Sequence, residues 1–214
     1  MAAPAPRAGA TDDVAARPDG GAPRHLAVLL ALGGLVGLVA AVVLLVEKLA
    51  LIADPSYVPS CSINPVLSCG SVMTTPQAEA FGVPNPLIGV AGFAVVTTVG
   101  VGLLAGAGYR RWFWLGLQVG VTFGVVFVHW LIFQSLYRIG ALCPYCMVVW
   151  VVTIAVFWYT TLHNIDAAHV SLPRPLRRVA QGVAGYHGVL LTGWFLAIAT
   201  LILVQFRTYW LGVL

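Results

Sequence analysis

The sequence predicts an all-α membrane protein whose helices cross the bilayer five times. Hydrophobic residues make up 60% of the 214 residues and charged residues only 8%, where an ordinary soluble domain carries roughly 25% charge. That is too little charge to cover a water-facing surface, and the mean hydropathy of +0.93 agrees. Five apolar stretches, 26–46, 86–107, 112–133, 143–162 and 188–206, each reach the length of about 20 residues that a helix needs to cross hydrocarbon.

Residues 1–25 are rich in Ala, Pro, Gly and Asp without apolar periodicity, which reads as a disordered tail. The first apolar stretch is too long for the core of a signal peptide, and no small-residue cleavage site follows it, so it reads as a retained span. Arg7, Arg17 and Arg24 precede it, Arg110 and Arg111 stand between the second and third stretches, and Arg174, Arg177 and Arg178 between the fourth and fifth. Only Lys48, Arg138 and Arg207 fall on the other side, a split of eight against three. The positive-inside rule then places the N-terminus in the cytoplasm and the C-terminus outside. The net charge of +4 is thereby a topology signal and calls for no nucleic-acid partner.

The connections are unequal. Arg110 and Arg111 make a short inner turn and residues 139–142 a short outer one. The outer loop at 53–85 is long, and such loops are uncommon without a role. Inside it, Thr75-Pro76-Gln77-Ala78-Glu79 reads as a helix start, with Thr75 as N-cap, Pro76 at the first helical position and Glu79 complementing the dipole. Gly82 and Pro84 end it, so a short lid helix is expected across the mouth of the bundle. Residues 164–182 read as a cytoplasmic linker. Residues 183–214 read as the fifth helix with an outer C-terminus, where Tyr209 and Trp210 form an interface belt. No internal repeat is evident.

Four cysteines carry the chemistry, all on the outer side: Cys61 with Cys69 in the long loop, and Cys143 with Cys146 in the run Cys143-Pro144-Tyr145-Cys146. Proline favours the first helical position, so Cys143 falls near an N-cap, where the helix dipole stabilises a thiolate. Cys146 lies one turn further in, at the edge of the hydrocarbon, facing an apolar partner. This geometry suits a dithiol passing two electrons from an aqueous donor to a lipid-soluble acceptor. A structural disulfide across so short a loop would stabilise little. A zinc site would need a second pair of matching spacing, which Cys61 and Cys69 do not provide. Taken alone, Cys61 and Cys69 suit a structural disulfide of an exported loop; opposite a second pair they suit exchange.

These residues resemble the bacterial branch of the vitamin K epoxide reductase family, in the form without a fused thioredoxin-like domain. The resemblance rests on Cys61-x7-Cys69, the run Cys69-Gly70-Ser71-Val72-Met73-Thr74-Thr75, Phe81-Gly82-Val83-Pro84-Asn85, and Cys143-Pro144-Tyr145-Cys146. It implies a four-helix transmembrane bundle over residues 26–163 enclosing a quinone near the outer surface, with the fifth helix outside the bundle. It further implies a thiol oxidase of the bacterial cell membrane. That enzyme reoxidises a separate DsbA-like thioredoxin-fold protein, so that exported proteins acquire disulfides. Electrons pass from the partner to Cys61, Cys69, Cys143, Cys146 and then the quinone, whether menaquinone, ubiquinone or a vitamin K-type naphthoquinone. Thr75 stands where the family commonly has a serine and keeps its hydroxyl. Asn85 matches the quinone-binding asparagine, and Phe81 and Trp150 are candidate walls of the pocket. Trp150 replaces the tyrosine of vertebrate members, which leaves epoxide reduction open.

Other polar residues of the spans have duller readings. His129, Gln118, Gln134 and Tyr137 suit interhelical hydrogen bonds. The alternative to an enzyme is a membrane anchor or interaction protein with a disulfide-stapled outer loop. A transporter is disfavoured because the spans nearly lack carboxylates, Glu47 sitting at a span end beside Lys48.

Overall fold

The computed structural model describes residues 22–170 and 173–213; most of the tail assigned to 1–25 lies outside these. Five helices are long and apolar enough to cross a membrane: Arg24–Ala53, Asn85–Leu104, Arg111–Ile139, Pro144–Asp166 and His187–Gln205. Three outrun their apolar stretches because polar residues near their ends have found burial. The first continues past Glu47 and Lys48, both buried. The third continues through a π-helical turn at Ser135–Ile139, closed by Gly140 in the left-handed conformation. The fourth continues through His163 and Asn164, also buried.

The first span packs against the second and the fourth, and the third packs against the fourth. The seam between the first and second spans is tight. A Cβ on Gly100 would collide with the backbone of Leu30 and Ala31, one on Gly34 with Thr97, and one on Gly37 with the Phe93 ring. Small residues at a membrane helix seam let backbones approach, which replaces the missing hydrophobic drive with dispersion. Apolar clusters fill the two ends: Leu26, Leu30, Val99 and Trp114 at one, and Val66, Ile132, Leu136, Leu142 and Trp150 at the other.

Polar residues of the spans tie helix to helix. Gln118 donates to Thr161 Oγ1 (2.9 Å) and accepts from Asn164 Nδ2 (2.9 Å), linking the third and fourth spans. His129 Nδ1 lies 2.7 Å from the Val125 carbonyl, while its Nε2 accepts from Trp194 Nε1 at 3.0 Å. That bond fastens the fifth helix, whose central residues are otherwise on the periphery. Two segments carry more structure than the sequence reading gave them. The linker contains a helix, Arg174–Gly185. Tyr209 and Trp210, on the helix Arg207–Val213, are partly buried against the Leu142 and Trp150 cluster.

Candidate redox site

Local sequence builds both cysteine pairs. In the long loop, the Asn64 side chain accepts from the backbone N–H groups of Val66 (3.0 Å) and Leu67 (2.7 Å), a turn that asparagine favours. Ser68 follows as N-cap, its hydroxyl accepting from Ser71 N, so Cys69 opens a helix running Cys69–Met73. This helix had no expectation from sequence; the Ser-x-x-Ser cap was its available signal. On the other chain segment, Cys143 is the N-cap of the fourth span with Pro144 at the first helical position, and its sulfur accepts from Cys146 N at 3.4 Å.

A backbone clasp joins the two segments. Leu67 and Leu142 form a parallel bridge, in which Leu142 N donates to Val66 O (2.7 Å) and Ser68 N donates to Leu142 O (2.8 Å). Cys143, directly after Leu142, and Cys69, two residues after Leu67, are thereby held side by side, with Sγ to Sγ at 3.0 Å. Cys61 and Cys69 are joined as a disulfide, while Cys143 and Cys146 are free thiols. The sulfurs of Cys61, Cys69 and Cys143 lie within 4.8 Å of one another. Two of these three belong to a disulfide and offer no thiolate to a metal. What the arrangement can do is exchange: a Cys143 thiolate is within reach of the Cys69 sulfur.

Cys143 is 1% exposed, and burial pushes a thiol's pKa up. Its thiol is nonetheless held below its ordinary value, first by the hydrogen bond from the Cys146 thiol and then by the backbone N–H groups of Cys146 and Tyr145. The largest cause outweighs desolvation, so the nucleophilic form is favoured.

Beneath the cysteines lies a cavity of about 620 Å3, lined by residues of all four packed spans. Cys146, Asn85 and Trp150 line it at the cysteine end, Trp112 and Phe113 at the far end, and its walls are overwhelmingly apolar. The shape suits a small polar ring carrying an apolar tail, and the reactive neighbour of the ring would be Cys146. A quinone fits that description. Asn85 is occupied with the lid: its Nδ2 donates to Gln77 O (2.7 Å) and its Oδ1 accepts from Ala80 N (3.1 Å). Phe81 is 57% exposed and lies outside the lining; its ring rests on Phe123 and Phe127, which do line the cavity.

The lid departs from its expected form. Residues Pro76–Glu79 make a single 3-10 turn with Pro76 at its start, and the Thr75 side chain caps nothing. Instead the Thr75 hydroxyl donates backwards to Val72 O at 2.7 Å, tying the lid to the Cys69 helix. Two residues passed over in the sequence fasten the loop to the first span. Lys48 Nζ donates to Met73 O (2.7 Å) and pairs with Glu79 (2.9 Å). Glu47 accepts from Tyr57 OH (2.9 Å) and Ser60 Oγ (2.5 Å), beside Cys61. Ionisable residues in a span are functional candidates by default, which was the available signal.

Residues 28–161 match the family described as the vitamin K epoxide reductase family. The match covers well over half of the chain, takes in nearly all of the four packed spans and both cysteine pairs, and stops before the fifth. No curated protein matches the sequence.

Proposed function

The chain belongs to the vitamin K epoxide reductase family, and from that membership we propose that it is the quinone-linked thiol oxidase that recharges a disulfide-introducing partner. As a member it is a membrane oxidoreductase of the thiol:quinone type. The finer reading is that electrons run from a DsbA-like thioredoxin-fold protein through Cys61, Cys69, Cys143 and Cys146. The observation that carries it is the 3.0 Å approach of Cys69 Sγ to Cys143 Sγ, with Cys146 in the wall of the apolar cavity.

The steps are thiolate attacks on sulfur. A partner thiolate attacks Cys61, releasing Cys69 as thiolate, and the partner's second thiolate then displaces Cys61. Cys69 attacks Cys143 of a Cys143–Cys146 disulfide and releases Cys146; Cys61 resolves the mixed disulfide by attacking Cys69. The outer pair ends oxidised and the inner pair reduced, the state described above. A quinone in the cavity supplies an acceptor for two electrons and two protons. Cys146 faces it, Trp150 walls it, and Asn85 and Thr75 hold the lid over it. Val58 and Ile63, 72% and 68% exposed on either side of Cys61, offer an apolar landing for the partner. With the split of arginines, this reading puts the cysteines on the outer face of a bacterial cell membrane.

Trapping tests it. In Cys61→Ala, Cys69 lacks its resolving partner, and a Cys69–Cys143 disulfide should accumulate in membranes, seen by mass spectrometry of the linked peptide. Partner oxidation and quinone reduction should fail in each single cysteine variant. Static Cys61–Cys69 and Cys143–Cys146 bonds without quinone reduction would leave a stapled-loop anchor instead.

A further inference from the structure

We infer that Gln134 is the residue that grips a ring oxygen of the acceptor and sets the enzyme's affinity for it. The inference rests on the quinone reading above and deepens it. The third span presents one face to the cavity at helical steps: Phe113, Gly116, Gly120, Gly124, Phe127 and Leu131 all line it. None of these can hydrogen-bond through its side chain. The next position on that face, the last of the α-helix Arg111–Gln134, is Gln134, which lines the cavity together with Cys146. An apolar wall ending in the Gln134 carboxamide, with the Ser135 hydroxyl next to it and Cys146 in the same lining, matches a ligand with an apolar tail and a polar ring.

The oxygen of that carboxamide is unspent. Gln134 Oε1 is buried without a hydrogen-bond partner among the described residues. A buried amide left unbonded is costly, and nearly all such groups in proteins are satisfied. The other interhelical glutamine, Gln118, bonds at both ends of its amide, and Asn85 is engaged with Gln77 and Ala80. Immediately after Gln134 the helix relaxes into the π-helical turn Ser135–Ile139, and π turns occur frequently at functional sites.

A carboxamide suits both redox states of such a ligand. Its N–H donates to a quinone carbonyl, and its oxygen accepts from the O–H of the reduced ring. Reduction breaks the two S–H bonds of Cys143 and Cys146, forms the S–S bond between them, and delivers two electrons and two protons to the two ring oxygens. Gln134 takes no part in the electron count; it holds one of those oxygens beside Cys146.

The test compares full-length wild type, Gln134→Leu and Gln134→Met in lipid nanodiscs, with a short-chain naphthoquinone and a short-chain benzoquinone as probes. Expected for either variant is roughly tenfold weaker quinone binding, the loss of one buried hydrogen bond. Thermal unfolding without quinone should not fall, since an unbonded amide is being removed, while the rise on adding quinone should shrink. With diamide added to supply the two-electron oxidation of Cys143 and Cys146, the later exchange of Cys69 with Cys143 in the Cys61→Ala background passes no electrons to quinone, and its yield should be unchanged. Unaltered affinity in both variants overturns the assignment. So does a drop in ligand-free stability with the quinone-induced rise intact, which would make Gln134 a packing residue. Failure of the wild type to bind or reduce either probe would instead overturn the quinone reading.

Discussion

Leu67 and Leu142, separated in sequence by the whole second and third spans, meet as a parallel backbone bridge, and this contact positions the thiol exchange. Each precedes a cysteine closely, so two backbone hydrogen bonds fix the separation of two sulfurs. A proline at 142 removes the N–H that reaches Val66 O. Adding Leu142→Pro to Cys61→Ala should lower the yield of the Cys69–Cys143 crosslink roughly fivefold, from the loss of about 1 kcal/mol. Non-reducing peptide mapping measures it, and an unchanged yield would mean the loop holds Cys69 without the bridge.

The low pKa of Cys143 has a direct readout. A depressed value keeps the thiolate present as pH falls below the range of a free thiol, about 8.5, until the pH passes the depressed value itself. In a Cys61→Ser, Cys69→Ser protein, ultraviolet titration of the thiolate should show a first midpoint below that range. Cys146→Ala removes the largest cause and should move the midpoint up. A midpoint unmoved by that change would assign the effect to the helix end alone.

Lys48 and Glu79 latch the lid. The pair is half in solvent, Glu79 being 42% exposed, so its electrostatic share is modest; the bond to the Met73 carbonyl adds to it. Lys48→Met should cost the lid about 1–2 kcal/mol of local stability. Hydrogen exchange in peptides spanning 70–85 should then quicken roughly five- to thirtyfold, with the far ends of the spans unaffected. Exchange at the wild-type rate would show that the bonds of Asn85 and Thr75 close the lid without Lys48.

The glycines of the second span divide by what they face. Gly100 meets backbone of the first span, whereas Gly92 lines the cavity with nothing within 4 Å of an added Cβ. Gly100→Ala should destabilise the protein by about 1–3 kcal/mol, because backbone cannot move aside as a side chain can. Gly92→Ala should leave thermal unfolding in detergent near that of wild type. Equal losses in the two variants would contradict this packing.

Much of the site was legible before the fold. Pro144 after Cys143 marks a helix start, and one turn of helix carries Cys146 inward; both follow from spacing within four residues. The pairing of His129 across helices was expected as a type of contact, but Trp194 as its partner was not, because the fifth helix gave no periodic sign of which face touches the bundle. Thr75 was placed at the right helix boundary and given the wrong bond: its hydroxyl turns back to Val72, a choice set by the Cys69 helix that the loop's composition did not reveal. Gln134 looked the same as Gln118 in sequence. Gln118 is bonded at both ends of its amide and Gln134 is unbonded at its oxygen, a difference made by which neighbours the packing supplies.

By itself the sequence determined that this chain is a membrane-spanning helical protein with two dithiols, since hydropathy, charge placement and cysteine spacing are local and need no partner. Only the tertiary structure decided that Cys69 meets Cys143, that Glu47 and Lys48 hold the loop, and that a cavity opens beneath Cys146. Each of those depends on contacts between residues distant along the chain. Their free energy comes from which surfaces pack against each other, and no short window of sequence contains both sides of such a contact.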